Sequence, residues 1–362
     1  MSLRLGWSNG STEVIVGEKE VELALSSSKG RQFVVTSSAV SGAPWAARLL
    51  DVMSPACIEE LPDGEKAKEV DVLLSLLKRL VGCGASRGDS LVALGGGSTL
   101  DVAGLASALY MRGMHLVNVP TTLLSASDAA VGGKNGINFA GAKNVLGTIR
   151  QPSSVMIYLP ALLALPDLEL RHGVPEIVKH GMTLDTSILR LLSGPPSLRD
   201  PETLKKLVVR SLSAKAEVVA QDEQDVFGKR IVLNYGHTVG HALEAGSGFR
   251  LHHGPSVSVG MIAEARLEVE LGLADQEVLD ELMSVLGRLK LPVSVSEACS
   301  QEGMGACAGF EVGVAKRALI MDKKREGAQI SMPVVDRPGS WGVKQVAIAD
   351  LQGALEGAWG GD

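Results

Sequence analysis

The segment NYGHTVGHALEAG, residues 234 to 246, places His237 and His241 four positions apart. On a helix that spacing puts both imidazoles on one face, where they can ligate a metal, meet a substrate or simply pack. His252 and His253 follow within twelve residues of His241, so four of the chain's seven histidines fall in one short stretch. A catalytic zinc commonly takes three protein ligands of histidine and carboxylate type and keeps one position open. The candidates are Glu176, His237, His241, His252 and His253. Spacing alone favours His237 with His241, yet H-x-x-x-H lacks the glutamate of H-E-x-x-H, and spacing does not say which three groups bind.

A second chemical signal is LVALGGGSTLD. Gly95, Gly96 and Gly97 stand between a strand-like and a helix-like run. Glycines there let a phosphate approach the backbone, and the helix N-terminus favours its charge. The pattern is not G-x-G-x-x-G, and a tight turn with no ligand is the plain alternative. Cations recur in Gly/Asn-rich turns: DAAVGGKNGINFAGAKN holds Asp128, Lys134, Asn138, Lys143 and Asn144. Lys179 follows Glu176 by three on one helix face. Lys215, Arg230, Lys323 and Lys324 lie further along. Any one is ordinarily a surface charge; several converging would suit a phosphate plus a carboxylate.

Elements must position these groups. RQFVVTSS, DSLVALGGG and MHLVNVP read as strands, and APWAARLLDVM, GEKAKEVDVLLSLLKRLVGCG and STLDVAGLASALYM as helices, the last with Ser98 as N-cap and Asp101 completing a near capping box. This alternation implies a mostly parallel sheet covered by helices. After SSVMIYLP nearly everything reads as helix: 167–182, 201–221, 235–245, 256–271, 276–290 and 312–321. QISMPVV reads as a strand and 344–358 as a last helix. The expectation is an α/β nucleotide-binding domain with a mostly parallel sheet over residues 1–155, then an all-helical metal- and substrate-binding domain over 156–362, with a site in the groove such domains form.

Bulk properties exclude several classes. The chain of 362 residues is 45% hydrophobic and 21% charged, with net charge −6 and a pI near 5.7. Binding to nucleic acid or an anionic membrane needs a basic surface, so neither is expected. No apolar run reaches the ~18 residues of a span, and MSLRLGWSNGSTEV has no continuous apolar core, so no signal peptide is expected. Cys57, Cys83, Cys299 and Cys307 are scattered without C-x-x-C and read as reduced, mostly buried thiols of a cytoplasmic protein.

Taken in order, LGGGSTLDVAG, YMRG, VPTTLLSASDAAVGGKNGIN, AKNVLG, PEIVKHG, KAEVVAQDE, LNYGHTVGH, HHGPSVSVGM and DKK resemble 3-dehydroquinate synthase across roughly residues 60 to 327. The resemblance implies a two-domain, homodimeric lyase of the shikimate pathway that uses NAD and zinc, with cobalt as a substitute. It implies conversion of the small phosphorylated keto acid 3-deoxy-D-arabino-heptulosonate 7-phosphate to 3-dehydroquinate and phosphate, by transient oxidation, phosphate elimination, re-reduction and intramolecular aldol closure. It places the metal ligands at Glu176, His237 and His253, and gives His241 a substrate-binding or proton-handling role. Asp128, Lys134, Lys143, Asn144, Lys179, Lys215, Arg230, Asn234, His241 and Lys323 are similar to substrate-pocket residues. Arg112 resembles an arginine that reaches the substrate phosphate of a neighbouring subunit. Glu65, Lys68, Gly95, Gly96, Gly97, Asp101, Thr121 and Thr122, with Lys134 and Lys143, fall on dinucleotide contacts.

The chain departs from the family pattern at Ala129, Ala130 and Asn135, and Ser37 stands where an aspartate near the adenosine ribose is usual, which leaves NADP use open. Two rivals remain: cyclases acting on sedoheptulose 7-phosphate, which share fold, metal and NAD, and metal-dependent polyol dehydrogenases, which share the GGGS…D loop and would accumulate NADH. A non-catalytic nucleotide-binding protein is a third reading and predicts NAD binding without turnover.

Overall fold

The computed structural model describes residues 1–8, 10–194, 197–321 and 325–359. The expected substrate residue Lys323 lies outside the described residues. The chain forms two compact units, Met1–Leu170 with Arg199–Gln224, and Arg171–Leu198 with Asp225–Asp362.

The first unit is built on seven strands: β1 (Ser2–Trp7), β2 (Gly10–Gly17), β3 (Gln32–Ser37), β4 (Cys57–Leu61), β5 (Ser90–Gly95), β6 (His115–Pro120) and, after a separate hairpin, β9 (Ser154–Tyr158). Their order is β1-β2-β9-β6-β5-β3-β4. Only the edge pair β1–β2 is antiparallel, and the other five pairings are parallel. Strands β3 and β5 are buried along their whole length, as a parallel sheet covered on both faces requires. Val34, Leu49, Val92, Leu94, Val119 and Tyr158 form its core. The hairpin joins β7 (Lys134–Phe139) to β8 (Ala142–Ile149). The helix Pro201–Gln221, opened by Asp200 accepting from Thr203 N at 2.8 Å, belongs to this first unit, although its sequence position placed it in the second domain.

The second unit holds the helices His237–Gly246, His253–Glu270, Gln276–Arg288, Val295–Gln301, Val312–Ile320 and Ile348–Gly357. It also carries a three-stranded antiparallel sheet, β10 (Arg325–Glu326), β11 (Gln329–Arg337) and β12 (Ser340–Ala347). Helix was expected from residue 344; residues 344 to 347 instead pair with β11, and the helix begins at Ile348. No described helix is long and apolar enough to cross a membrane.

The cysteines correct the sequence reading. Cys57 is bonded to Cys83, with Cα atoms 6.4 Å apart, and Cys299 to Cys307, with Cα atoms 5.2 Å apart. Both separations suit a disulfide. The first pair joins the start of β4 to the end of the helix Val70–Gly82, a proximity created by the fold and invisible as a sequence motif.

Candidate metal centre and cofactor cradle

Glu176 and Lys179 lie on the helix Asp167–Thr183, and both are buried. His237 is the first residue of its helix. The preceding Gly236 has φ 76°, and a Cβ there would meet Met261 Cγ at 2.4 Å and Val257 O at 3.0 Å, so glycine is needed twice over. His253 is likewise the first residue of its helix. A Cβ on Gly254 would stand 2.1 Å from His172 O, which lets the Glu176 and His253 helices approach closely.

Three donors converge in this unit. Glu176 Oε1 lies 3.2 Å from His237 Nε2 and 3.2 Å from His253 Nε2. His237 Nδ1 stands 3.1 Å from Tyr235 O, and His253 Nδ1 lies 2.8 Å from Glu244 Oε1. These partners occupy each Nδ1 and turn each Nε2 towards the shared centre, the usual support of a metal-bound imidazole. Lys179 Nζ donates to Glu176 Oε2 and, at 2.7 Å, to Leu233 O.

The electrostatics follow from burial and neighbours. Burial would raise the Glu176 carboxyl, but Lys179, then His237 and His253, hold it well below the ordinary range. Burial lowers His237 against the pull of Glu176. Burial also opposes charge on His253, yet Glu176 and Glu244 push it up to about 10. An ionised carboxylate and two imidazoles with fixed tautomers suit a divalent borderline ion such as zinc or cobalt, so the residues fit the expected group.

His241 is exposed, with its ring centroid 5.2 Å from that of His237 and 6.0 Å from that of His253. Arg230 and Asn234 occupy the short 3-10 helix Lys229–Asn234 just before the His237 helix, with Arg230 buried. The candidate His252 is directed elsewhere, to Glu302, which also contacts His172 Nε2 at 2.8 Å. Sequence reasoning missed Glu244. Its signal was a spacing of seven from His237, which keeps both on one helix face.

In the first unit, the N-cap of the helix Gly97–Leu109 is Gly96, not Ser98, and no side chain caps it. Asp101 pairs with Lys68 instead of completing a capping box, at 2.5 Å. Burial raises the Asp101 carboxyl against the pull of Lys68. Lys68 Nζ also donates to Asn144 Oδ1 at 2.7 Å, Asn144 N to Asn138 Oδ1 at 3.0 Å, and Asn138 Nδ2 to Glu65 Oε1 at 2.8 Å. A cleft of about 420 Å³ is lined by Asp101, Lys134, Asn135, Asn144 and Thr148, among others. A larger cleft, about 660 Å³, is lined by Arg190, Glu277, Asp280 and Glu281 and contains none of the expected site residues. Thr121 is buried beside the loop, its N–H on Gly95 O at 3.0 Å, and a Cβ on Gly96 would touch Thr122 Cγ2 at 3.5 Å. Lys215 Nζ pairs with Asp128 Oδ1 at 2.9 Å. Lys134, Lys143 and Arg112 are exposed, Arg112 in a left-handed turn at φ 61°.

Asn135 is a fold residue. Its Nδ2 donates to Gly133 O at 2.8 Å and Arg150 O at 3.0 Å, and its Oδ1 would lie 1.9 Å from a Cβ on Gly104. Ser37 has an acidic neighbour: Asp63 accepts from Ser38 Oγ at 2.9 Å, and hydrogen bonds from Ser37, then Ser38, hold its carboxyl below the ordinary range.

Comparison with known proteins shows the family. The sequence pattern of the 3-dehydroquinate synthase N-terminal family matches residues 58–172, and that of its C-terminal family matches residues 173–324. The 3-dehydroquinate synthase of Sulfolobus acidocaldarius is 39% identical over 352 residues, 95% of each chain. That of Sulfurisphaera tokodaii is 40% identical, covering 82% of this chain and 84% of its own. Among solved structures, 2-deoxy-scyllo-inosose synthase with carbaglucose-6-phosphate, NAD+ and Co2+ superposes with TM-score 0.84 at 24% identity, covering 99% of this chain and 100% of its own. The 2-epi-5-epi-valiolone synthase of Streptomyces hygroscopicus, with NAD+ and Zn2+, gives 0.79 at 24%, covering 98% of each. These two structures share the fold alone.

Proposed function

The chain belongs to the 3-dehydroquinate synthase family, and from that premise we propose that it converts 3-deoxy-D-arabino-heptulosonate 7-phosphate to 3-dehydroquinate and phosphate. The observation that carries this reading is the meeting of Glu176, His237 and His253, contributed by three separate motifs, with both Nε2 atoms 3.2 Å from Glu176 Oε1. The relatives whose names support this activity are 39–41% identical over most of the chain, while the other cyclases are similar at 24%.

Glu176, His237 and His253 would hold a divalent zinc or cobalt ion, and the glycine-loop residues Gly95, Gly96 and Gly97 with Glu65, Lys68, Asp101, Thr121 and Thr122 would hold NAD. When bound, the ion supplies Lewis-acid polarisation of a hydroxyl and the nicotinamide supplies a reversible hydride acceptor. The chain's own residues do the rest. Lys179 fixes the charge and orientation of the Glu176 carboxylate. The cations Lys134, Lys143, Lys215 and Arg230 bind the substrate's carboxylate and phosphate and stabilise charge on the departing phosphate. Asn144 and Asn234 orient hydroxyls, Asp128 holds Lys215, and His241 moves a proton at a substrate oxygen. No side-chain nucleophile is required.

NAD is the favoured nucleotide in this reading. Ser37 removes the usual acid from the end of β3, but Asp63 restores a negative charge there, which opposes a 2′-phosphate. Tighter binding of NADP than NAD would contradict this. A homodimer in which Arg112 reaches a neighbour's substrate phosphate, and a cytoplasmic location, belong to the same reading. A monomer by sedimentation at assay concentration would count against the dimer, and recovery of the native protein in a secreted fraction against the location.

The test is phosphate release from the two candidate sugar phosphates side by side, with NAD and metal present. Faster release from the heptulosonate phosphate is expected. Faster release from sedoheptulose 7-phosphate would move the chain to the other cyclases.

A further inference from the structure

Two acidic residues of the His253 helix, Glu264 and Glu268, are buried and lie outside the donor set. Glu264 Oε2 accepts from Gly236 N at 2.7 Å, and Glu264 Oε1 accepts from Val239 N at 2.9 Å. Those amides belong to the N-cap and the third residue of the helix that His237 begins. Every helix start leaves N–H groups without a partner in the helix itself, and a buried start must find acceptors elsewhere. Gly236 has no side chain to serve, and no side chain at the N-cap covers this helix start. One carboxylate from a neighbouring helix does the work, with charge-assisted bonds aimed at a positive helix end.

The contact between the two helices is tight enough to transmit that anchoring. A Cβ on Gly260 would lie 2.0 Å from Gly236 O and 2.8 Å from Gly240 N, and one on Gly240 would lie 3.1 Å from Ser256 O. The bracing also runs in the other direction. Glu244, on the His237 helix, holds the Nδ1 of His253 at 2.8 Å. Each histidine-bearing helix therefore supplies the carboxylate that fixes the other's donor.

We propose that Glu264 is a positioning residue of the metal centre: by pinning the amides of Gly236 and Val239 it sets where the His237 imidazole stands relative to His253. This rests on the reading that a cation binds there, and is independent of which sugar phosphate is turned over. A glutamine at 264 keeps one acceptor but turns an NH2 group towards a backbone N–H, so one anchor is lost and replaced by a repulsive contact.

The experiment uses the full chain loaded with cobalt. For Glu264→Gln that remains folded by circular dichroism, the expected result is a cobalt affinity lower by ~10–100-fold and a changed visible spectrum of the bound ion. Glu268→Gln is the control. Burial, then the charge of Glu264, pushes Glu268 well above the ordinary carboxyl range, so glutamine resembles the form already present, and native affinity and spectrum are expected. Native affinity and spectrum in Glu264→Gln would overturn the proposal. Should that variant not fold, hydrogen exchange in the unaltered chain decides: the Gly236 and Val239 amides are expected among the slowest, and exchange at the rate of exposed loops would overturn it. If the unaltered chain bound no cobalt, the cation reading and this proposal would both fall.

Discussion

His253 lies between two carboxylates, Glu176 and Glu244, and this sets what metal uptake must do. With Glu176 held ionised, His237 held neutral and His253 raised to about 10, adding zinc to the metal-free chain near pH 8 is expected to release about one proton. A weakly buffered indicator titration checks this, and no release would contradict it. The sign for stability follows. In the metal-free chain the His253 contribution is fully present below the unfolded value of 6.5 and is lost as pH rises through about 10. His253→Ala is expected to lose more metal affinity than the ~10–100-fold typical of outer-shell changes, while His241→Ala keeps its metal and loses turnover. Metal analysis of the two purified variants decides, and the reverse pattern would contradict the ligand assignment.

At this scale only part of the site was legible. The four-residue spacing did bring His237 and His241 to one face, but His241 lies exposed beside the centre. His252 and His253 are sequence neighbours with different fates, since His252 is the extended N-cap, with ψ 160°, and His253 the first helical residue. The ligand set came from resemblance to a family, because a donor on a distant helix leaves no mark in local spacing. Glu244 and Glu264 read as ordinary helix acids until their buried partners are known.

At the scale of elements, the apolar runs of β3, β5 and β6 and the long helices were readable from periodicity and length. The antiparallel edge pair β1–β2 and the β7–β8 hairpin were not, because polar residues and glycines interrupt their apolar pattern. The Ser98 cap was misread because a serine–aspartate spacing matches a capping box, while the actual start at Gly96 leaves its amides uncovered by any side chain. The disulfides were missed because pairing depends on folding. The bond Cys57–Cys83 closes a separation of 26 residues, worth about 3 kcal/mol by the loop-entropy argument. Reductant is expected to lower the thermal midpoint by several degrees, ~2–4 °C per kcal/mol scaling down with chain size. Four free thiols in the unreduced, unfolded chain would contradict the bonds.

At the scale of the whole molecule, the alternation of strand and helix runs gave the α/β class, and no described helix is long and apolar enough to cross a membrane. The partition into units was harder. The helix Pro201–Gln221 lies beyond residue 170 yet belongs to the first unit, since periodicity tells that a helix has a buried face and not what covers it. The net charge of −6 coexists with lysines gathered around the glycine-rich turns, so the balance of the chain conceals the character of its site. The central claim at this scale is that a hydride is borrowed and returned within one turnover. The most direct measurement is a stopped-flow single turnover of the heptulosonate phosphate that follows reduced nicotinamide by absorbance and phosphate by a coupled dye. Absorbance that rises and returns to baseline as one phosphate is released per substrate is expected; absorbance that persists in step with substrate consumed, without phosphate, would contradict a borrowed and returned hydride.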